Sequence, residues 1–128
     1  MNNGLITAIY CRTAQHSDIL TFQEEMLRNY ANEHEYEDVG VYADNGFGGL
    51  DFGRPSFSLL LEDMDNGKVG VVIVSNISRL ARDMDGINRW LDKAKVCGVK
   101  LVSVTDGFDA DFADTIYTGL QSLNDNYT

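Results

Sequence analysis

Apolar, β-branched runs alternate along this chain with stretches whose apolar positions recur at three- and four-residue steps. Residues 4–11, "GLITAIYC", form the first such run and predict a buried strand. Ile19, Phe22, Gln23, Met26, Leu27 and Tyr30 then lie on one helical face, with Ser17 or Asp18 as candidate caps and Thr21 with Glu24 as a second capping box. Residues 38–43, "DVGVYA", predict a second strand, followed by the loop "DNGFGGLDFG". Pro55 stands at a natural first helical position, and the helix it opens is closed by Gly67. Residues 69–75, "VGVVIVS", are apolar without alternation, which predicts a central parallel strand covered on both faces. In "ISRLARDMDGINRWLDKAKVCG", Ile87, Trp90, Leu91 and Ala94 share a helical face that Gly98 ends. "VKLVSV" is a fourth strand, and Phe112, Ile116, Leu120 and Leu123 are spaced for a last helix.

The order β-α-β-α-β-α-β-α, with right-handed crossovers, predicts an α/β fold: a mostly parallel central sheet of four to five strands with helices on both faces, a flavodoxin-like three-layer arrangement. A chain of 128 residues, 44% hydrophobic, suits one domain with a true core. It has no apolar stretch long enough to span a membrane. The start, "MNNGLITAIY", lacks the basic and apolar regions of a signal peptide. Cys11 and Cys97 show no metal spacing, so they read as reduced, buried thiols of a cytoplasmic protein.

The formal net charge of −10 changes the functional picture. Affinity for a phosphate backbone comes mainly from Lys and Arg, so an acidic chain is a poor free-standing nucleic-acid binder. Contact with DNA then needs a local arginine cluster or affinity supplied from elsewhere.

In an open parallel sheet the ligand site lies beyond the carboxyl ends of the strands. Read along the chain, those ends carry Arg12, Thr13 and Ala14; Asp44, Asn45 and a glycine loop that leads to Arg54; Ser75, Asn76, Ser78, Arg79 and Arg82; and Thr105 with Asp106. Four of the ten basic residues thus gather at one edge. A guanidinium presents a donor fork that matches phosphate oxygens, so the cluster points to an oxyanion ligand. The plainer alternative pairs each arginine with a carboxylate such as Asp44, Asp51 or Asp83. The "NGFGG" loop fits neither the dinucleotide nor the P-loop pattern, and its glycines predict a mobile loop that swings Arg54. His16 and His34 have no second ligand at metal spacing, so neither a metal nor another cofactor is expected.

The set "YCRTAQ", Gln23, "DNGFGGLDFGRPSF" and "SRLARD" resembles the catalytic domain of the serine site-specific recombinases, the resolvase/invertase family, from about Ile6 to Asp109. Tyr10 and Arg12 match the family's Tyr-x-Arg-x-Ser. Asp44, Gly48, Gly49, Arg54 and Pro55 match its Asp-x-x-x-Ser-Gly loop and Arg-Pro, and Ser78, Arg79, Leu80 and Arg82 match its third motif. The resemblance implies DNA recombination through a 5′-phosphoserine intermediate, without metal or ATP. It implies that Arg12, Arg79 and Arg82 surround the scissile phosphate, that Arg54 approaches from the glycine loop, and that Gln23 supports the nucleophile loop. Tyr10, Asp44 and Ser78 take supporting places.

Two positions depart from the pattern: Ala14 stands where the nucleophilic serine is expected, and Gly48 replaces the serine of the second loop. A methyl group cannot attack phosphorus. Natural loss of the nucleophile, an engineered change, and a displaced nucleophile (Thr13 or Ser17) are the competing explanations, in that order. The resemblance further implies a catalytic-type domain over residues 1–110 and, over 111–128, the start of a dimerisation-type helix cut short. On the same resemblance the DNA-binding domain of family members would be absent from these residues, and DNA and homo-oligomeric partners, dimer to tetramer, would be engaged largely through that missing region. A non-catalytic assembly protein is the alternative from a different functional class. A flavodoxin- or receiver-like module is a third, although Arg12 stands where a receiver clusters acids.

Overall fold

The computed structural model describes residues 5–13, 19–45, 54–81 and 83–106. In chain order these form β1 (Ile6–Thr13), α1 (Ile19–Glu33), β2 (Val39–Asn45), α2 (Pro55–Asp65), β3 (Val69–Val74), a 3-10 turn (Ile77–Arg79), α3 (Met84–Cys97) and β4 (Lys100–Ser103). The expected last helix, the caps Ser17 and Asp18, Ala14 and Arg82 all lie outside the described residues.

All three strand pairings are parallel, and the order is β2-β1-β3-β4. The chain first steps from β1 to β2 on one side, then crosses back past β1 to β3. Reversing the direction of travel while keeping right-handed crossovers moves the connecting helices to the opposite face. One layer accordingly packs α1 on the sheet: Leu27 and Ala31 meet Ile9, Cys11, Ile73 and Val102. The other packs α2 and α3: Leu60, Met64, Trp90, Leu91 and Ala94 meet Ala8, Tyr10, Tyr42, Val72, Val74 and Leu101. Neighbouring strand residues fall into different layers, as a period of two requires. The burial of β1 and β3 on both faces explains their unbroken apolar runs.

Helix ends largely follow the sequence signals. Pro55 is the first residue of α2, and Gly98 ends α3 in the left-handed region at φ 71°. Two expectations change. Thr21 lies inside α1 rather than at its start, and Glu24 pairs with Arg28 one turn on, so no capping box forms there. The segment read as one helix from Ile77 is divided: a 3-10 turn comes first, and α3 begins at Met84, capped by Asp83, whose carboxylate accepts from the Gly86 amide at 2.8 Å. The motif "SRL" therefore sits on the turn beyond the carboxyl end of β3, ahead of the capped start of α3.

Candidate functional site

The strand order reverses between β1 and β3, so the crevice beyond their carboxyl ends is the place where this architecture leaves room for a ligand. Arg12 is the last residue but one of β1, and the turn from Ser75 to Leu80 leaves the neighbouring strand β3.

Arg12 is buried, and its side chain reaches across to that turn. Nε donates to the Arg79 carbonyl at 3.0 Å and Nη2 to the Ser78 carbonyl at 2.6 Å. Arg79 answers in the opposite direction, with Nη1 donating to the Arg12 carbonyl at 3.0 Å and Nε to Ser75 Oγ at 3.4 Å. Gln23, buried on α1, clamps the same strand end: the Arg12 amide donates to its Oε1 at 3.1 Å, and its Nε2 donates to the Arg12 carbonyl at 3.4 Å. Both main-chain groups of residue 12 are thus held by side chains, which fixes the point from which the segment toward Ala14 departs.

Arg54 approaches from β2 and α2. The residue is 5% exposed, and its guanidinium carbon lies 3.8 Å from the centre of the Phe57 ring. Nη1 donates to the Tyr10 hydroxyl and to the Arg79 carbonyl, each at 3.2 Å, and Nη2 donates to the Leu80 carbonyl at 2.8 Å. Nε is buried without a partner among the described residues. This corrects the picture of an arginine swung by the glycine loop. Proline at the next position and the aromatic seat below it fix Arg54 in the core wall.

Asp44 explains why the core tolerates this arrangement. Its carboxylate, 1% exposed, accepts from the Tyr10 hydroxyl at 2.8 Å and from the Ser56 and Phe57 amides, each at 2.9 Å. The cap residue of α2, Arg54, offers no side-chain acceptor, and an aspartate from the neighbouring strand end takes that part. The Tyr10 hydroxyl links the two charges, donating to Asp44 and accepting from Arg54. Burial, then the bond to Asp44, pushes its pKa well above the ordinary phenol value.

Arg12, Arg54 and Arg79 therefore meet around one turn. Among the described residues, Arg54 and Arg79 make no ion pair; their printed partners are carbonyls and hydroxyls. Neutral acceptors orient a guanidinium without cancelling its charge. Arg79 is half-buried and has Nη2 free of partners among the described residues, so it presents a donor to the edge. Such a site suits an oxyanion. Ser78 contributes its carbonyl, while its hydroxyl bonds to Asn76 Oδ1. Sequence reasoning did not assign parts to Phe57 and Ser75; Phe57 stood within "GRPSF", and the aromatic beside an arginine was the available signal.

The sequence profile of the family described as "Resolvase, N terminal domain" matches residues 7–125. No curated protein matches at a significant level. Among solved structures, the N-terminal catalytic domain of TP901-1 integrase is similar with a TM-score of 0.85 at 23% identity, covering 94% of this chain and 95% of that one. A resolvase family site-specific recombinase from Streptococcus pneumoniae is 28% identical, with a TM-score of 0.80 and coverage of 96% and 87%. The C-terminal catalytic domain of ISC1926 TnpA, an IS607-like serine recombinase, is 26% identical, with a TM-score of 0.74 and coverage of 93% and 80%.

Proposed function

Because this chain belongs to the family of resolvase N-terminal domains, we propose that its arginine edge receives a backbone phosphate of DNA during serine-type recombination. The observation that carries the reading is the convergence of Arg12, Arg54 and Arg79 on the turn after β3, at the switch point of the sheet. Phosphoryl transfer spreads negative charge over the non-bridging oxygens, and donors already held in place stabilise that charge with little reorganisation. Arg79 supplies the presented donor. Arg12 and Arg54 hold the turn that aims it, Gln23 fixes the end of β1, and Tyr10 with Asp44 holds Arg54. Arg82, four residues after Ser78, joins this set by its place in the third motif.

In a domain of this kind a serine at position 14 would attack the phosphodiester, forming the phosphoserine bond as the 3′-oxygen leaves. Ala14 provides no oxygen, so the chain as it stands holds the phosphate and does not cut. Ala14→Ser in the full-length protein, incubated with duplex carrying the recombination site, is expected to give a protein–DNA adduct that survives denaturing electrophoresis. Arg79→Ala in that background is expected to lower adduct formation by about 10²–10³-fold, the scale for removing one preorganised donor.

A second reading is favoured by Ala14 together with Gly48: a partner that assembles with recombinase subunits and performs no chemistry. A serine variant that binds the duplex yet gives no adduct would overturn the cleavage reading and support this one.

A further inference from the structure

The turn that carries Arg79 is fastened from two sides. The arginines grip its carbonyls from the β1 side. From the other side, the chain leaving β4 grips its start. The Val104 amide donates to the Val74 carbonyl at 3.0 Å and the Thr105 amide to the Ser75 carbonyl at 2.8 Å. The Thr105 hydroxyl donates to that same carbonyl at 2.5 Å. Asp106 Oδ2 accepts from the Ile77 amide at 3.0 Å and from the Ser103 hydroxyl at 2.5 Å.

The Ile77 amide is the first free donor of the 3-10 turn, a group that needs an acceptor. The cap residue, Asn76, makes no side-chain cap bond, and its Oδ1 accepts from the Ser78 hydroxyl instead. We infer that Asp106 is a positioning residue for Arg79: reaching from β4, it caps the 3-10 turn and sets the direction in which the guanidinium two residues later is presented. Ser103, fully buried, orients the carboxylate. Among the described residues, the partners of the Asp106 carboxylate are the Ile77 amide and the Ser103 hydroxyl, neither of them an arginine, so Asp106 acts on the site through the backbone of the turn. Its consequence for phosphate binding rests on the function proposed above; its structural claim does not.

The test uses the 128-residue chain and the side-chain Nε–Hε signals of its arginines in NMR spectra. In Asp106→Ala, the Arg79 and Arg12 signals are expected to move toward free-arginine positions. Their hydrogen exchange should accelerate about tenfold, the equivalent of one lost hydrogen bond. Arg28, which bonds to Glu24 on the far helix, serves as the control and keeps its signal. Asp106→Asn, which retains an acceptor oxygen, restores the Arg79 signal. Ser103→Ala, which leaves the carboxylate in place but unoriented, gives an intermediate shift and decides the matter if Asp106→Ala fails to fold. Arg79 and Arg12 signals unchanged in the folded Ala variants would overturn the inference, as would an equal shift of Arg28. Titration with inorganic phosphate separates the two readings. A wild-type chain that ignores phosphate sinks the phosphate site, while the Arg79 signals still decide the part played by Asp106.

Discussion

Arg54 is a charged side chain in the wall of a core, held by an aromatic ring, a phenol and two main-chain carbonyls. Its partners are neutral, so the residue keeps its full charge while the geometry is locked. Lysine could not replace it: a single ammonium cannot reach Tyr10, Arg79 and Leu80 from one planar fork. Arg54→Met preserves much of the volume but leaves the Leu80 carbonyl without a partner and weakens the hold on the Arg79 carbonyl. The expected loss is roughly 1–3 kcal/mol for each carbonyl orphaned, read as a lower urea midpoint with an unchanged slope. The arginine was visible in the sequence as part of an edge cluster. Its burial was not, because the partners that seal it, Tyr10 and the Arg79 and Leu80 carbonyls, lie 25 to 44 positions away; Phe57, three residues on, was the one local hint.

At the scale of elements, the site depends on how turns and helices begin. α2 is capped by Asp44 from the end of the preceding strand, α3 by its own Asp83, and the 3-10 turn by Asp106. Only the second of these is local in sequence, which is why a reading by spacing merges the 3-10 turn with α3. The start of α3 is also crowded: a Cβ added at Gly86 would sit 2.8 Å from the Ala81 Cβ and 2.8 Å from the Asp83 carboxylate. Gly86→Ala therefore displaces the cap, although alanine favours helix elsewhere. A loss of about 1 kcal/mol, typical of a missing cap, is expected in place of the usual gain from Gly→Ala, measured by thermal or urea unfolding. If the variant is stabilised instead, the close approach of residues 81 to 86 does not hold in solution.

Across the whole molecule, the sheet reversal brings together groups that lie far apart in sequence, with Arg12 and Arg79 separated by 67 positions. The same packing sets how the fold responds to pH. Burial pushes the Cys11 thiol up to about 12, and it raises the Tyr10 and Tyr42 phenols well above their ordinary values, each helped by a nearby aspartate. In the unfolded chain these groups release their protons earlier, the thiol near 9 and the phenols near 10. The folded state then binds more protons than the unfolded one, so the contribution of these groups to stability is full well below pH 9 and declines as pH rises toward 12. Urea midpoints measured from pH 8 to 11 should fall accordingly. Cys11→Ala should flatten the early part of that decline, leaving the phenol part. Cys97, expected buried, is only half-buried, because it lies in the last turn of α3 beside the Gly98 cap.

The alternation of apolar runs and helical faces by itself determined the α/β class, the parallel sheet and most helix ends, because periodicity and capping are written in neighbouring residues. The motifs, with their order and spacing, likewise placed the arginines at one edge. What only the tertiary structure decided is the bonding within that edge: Arg12 and Arg54 spent on the Ser78–Leu80 backbone, Asp44 as a distant cap, Ser78 acting through its carbonyl. Those bonds join residues from 12 to 67 positions apart, and a chain has no local signal for a partner that arrives only when the sheet closes.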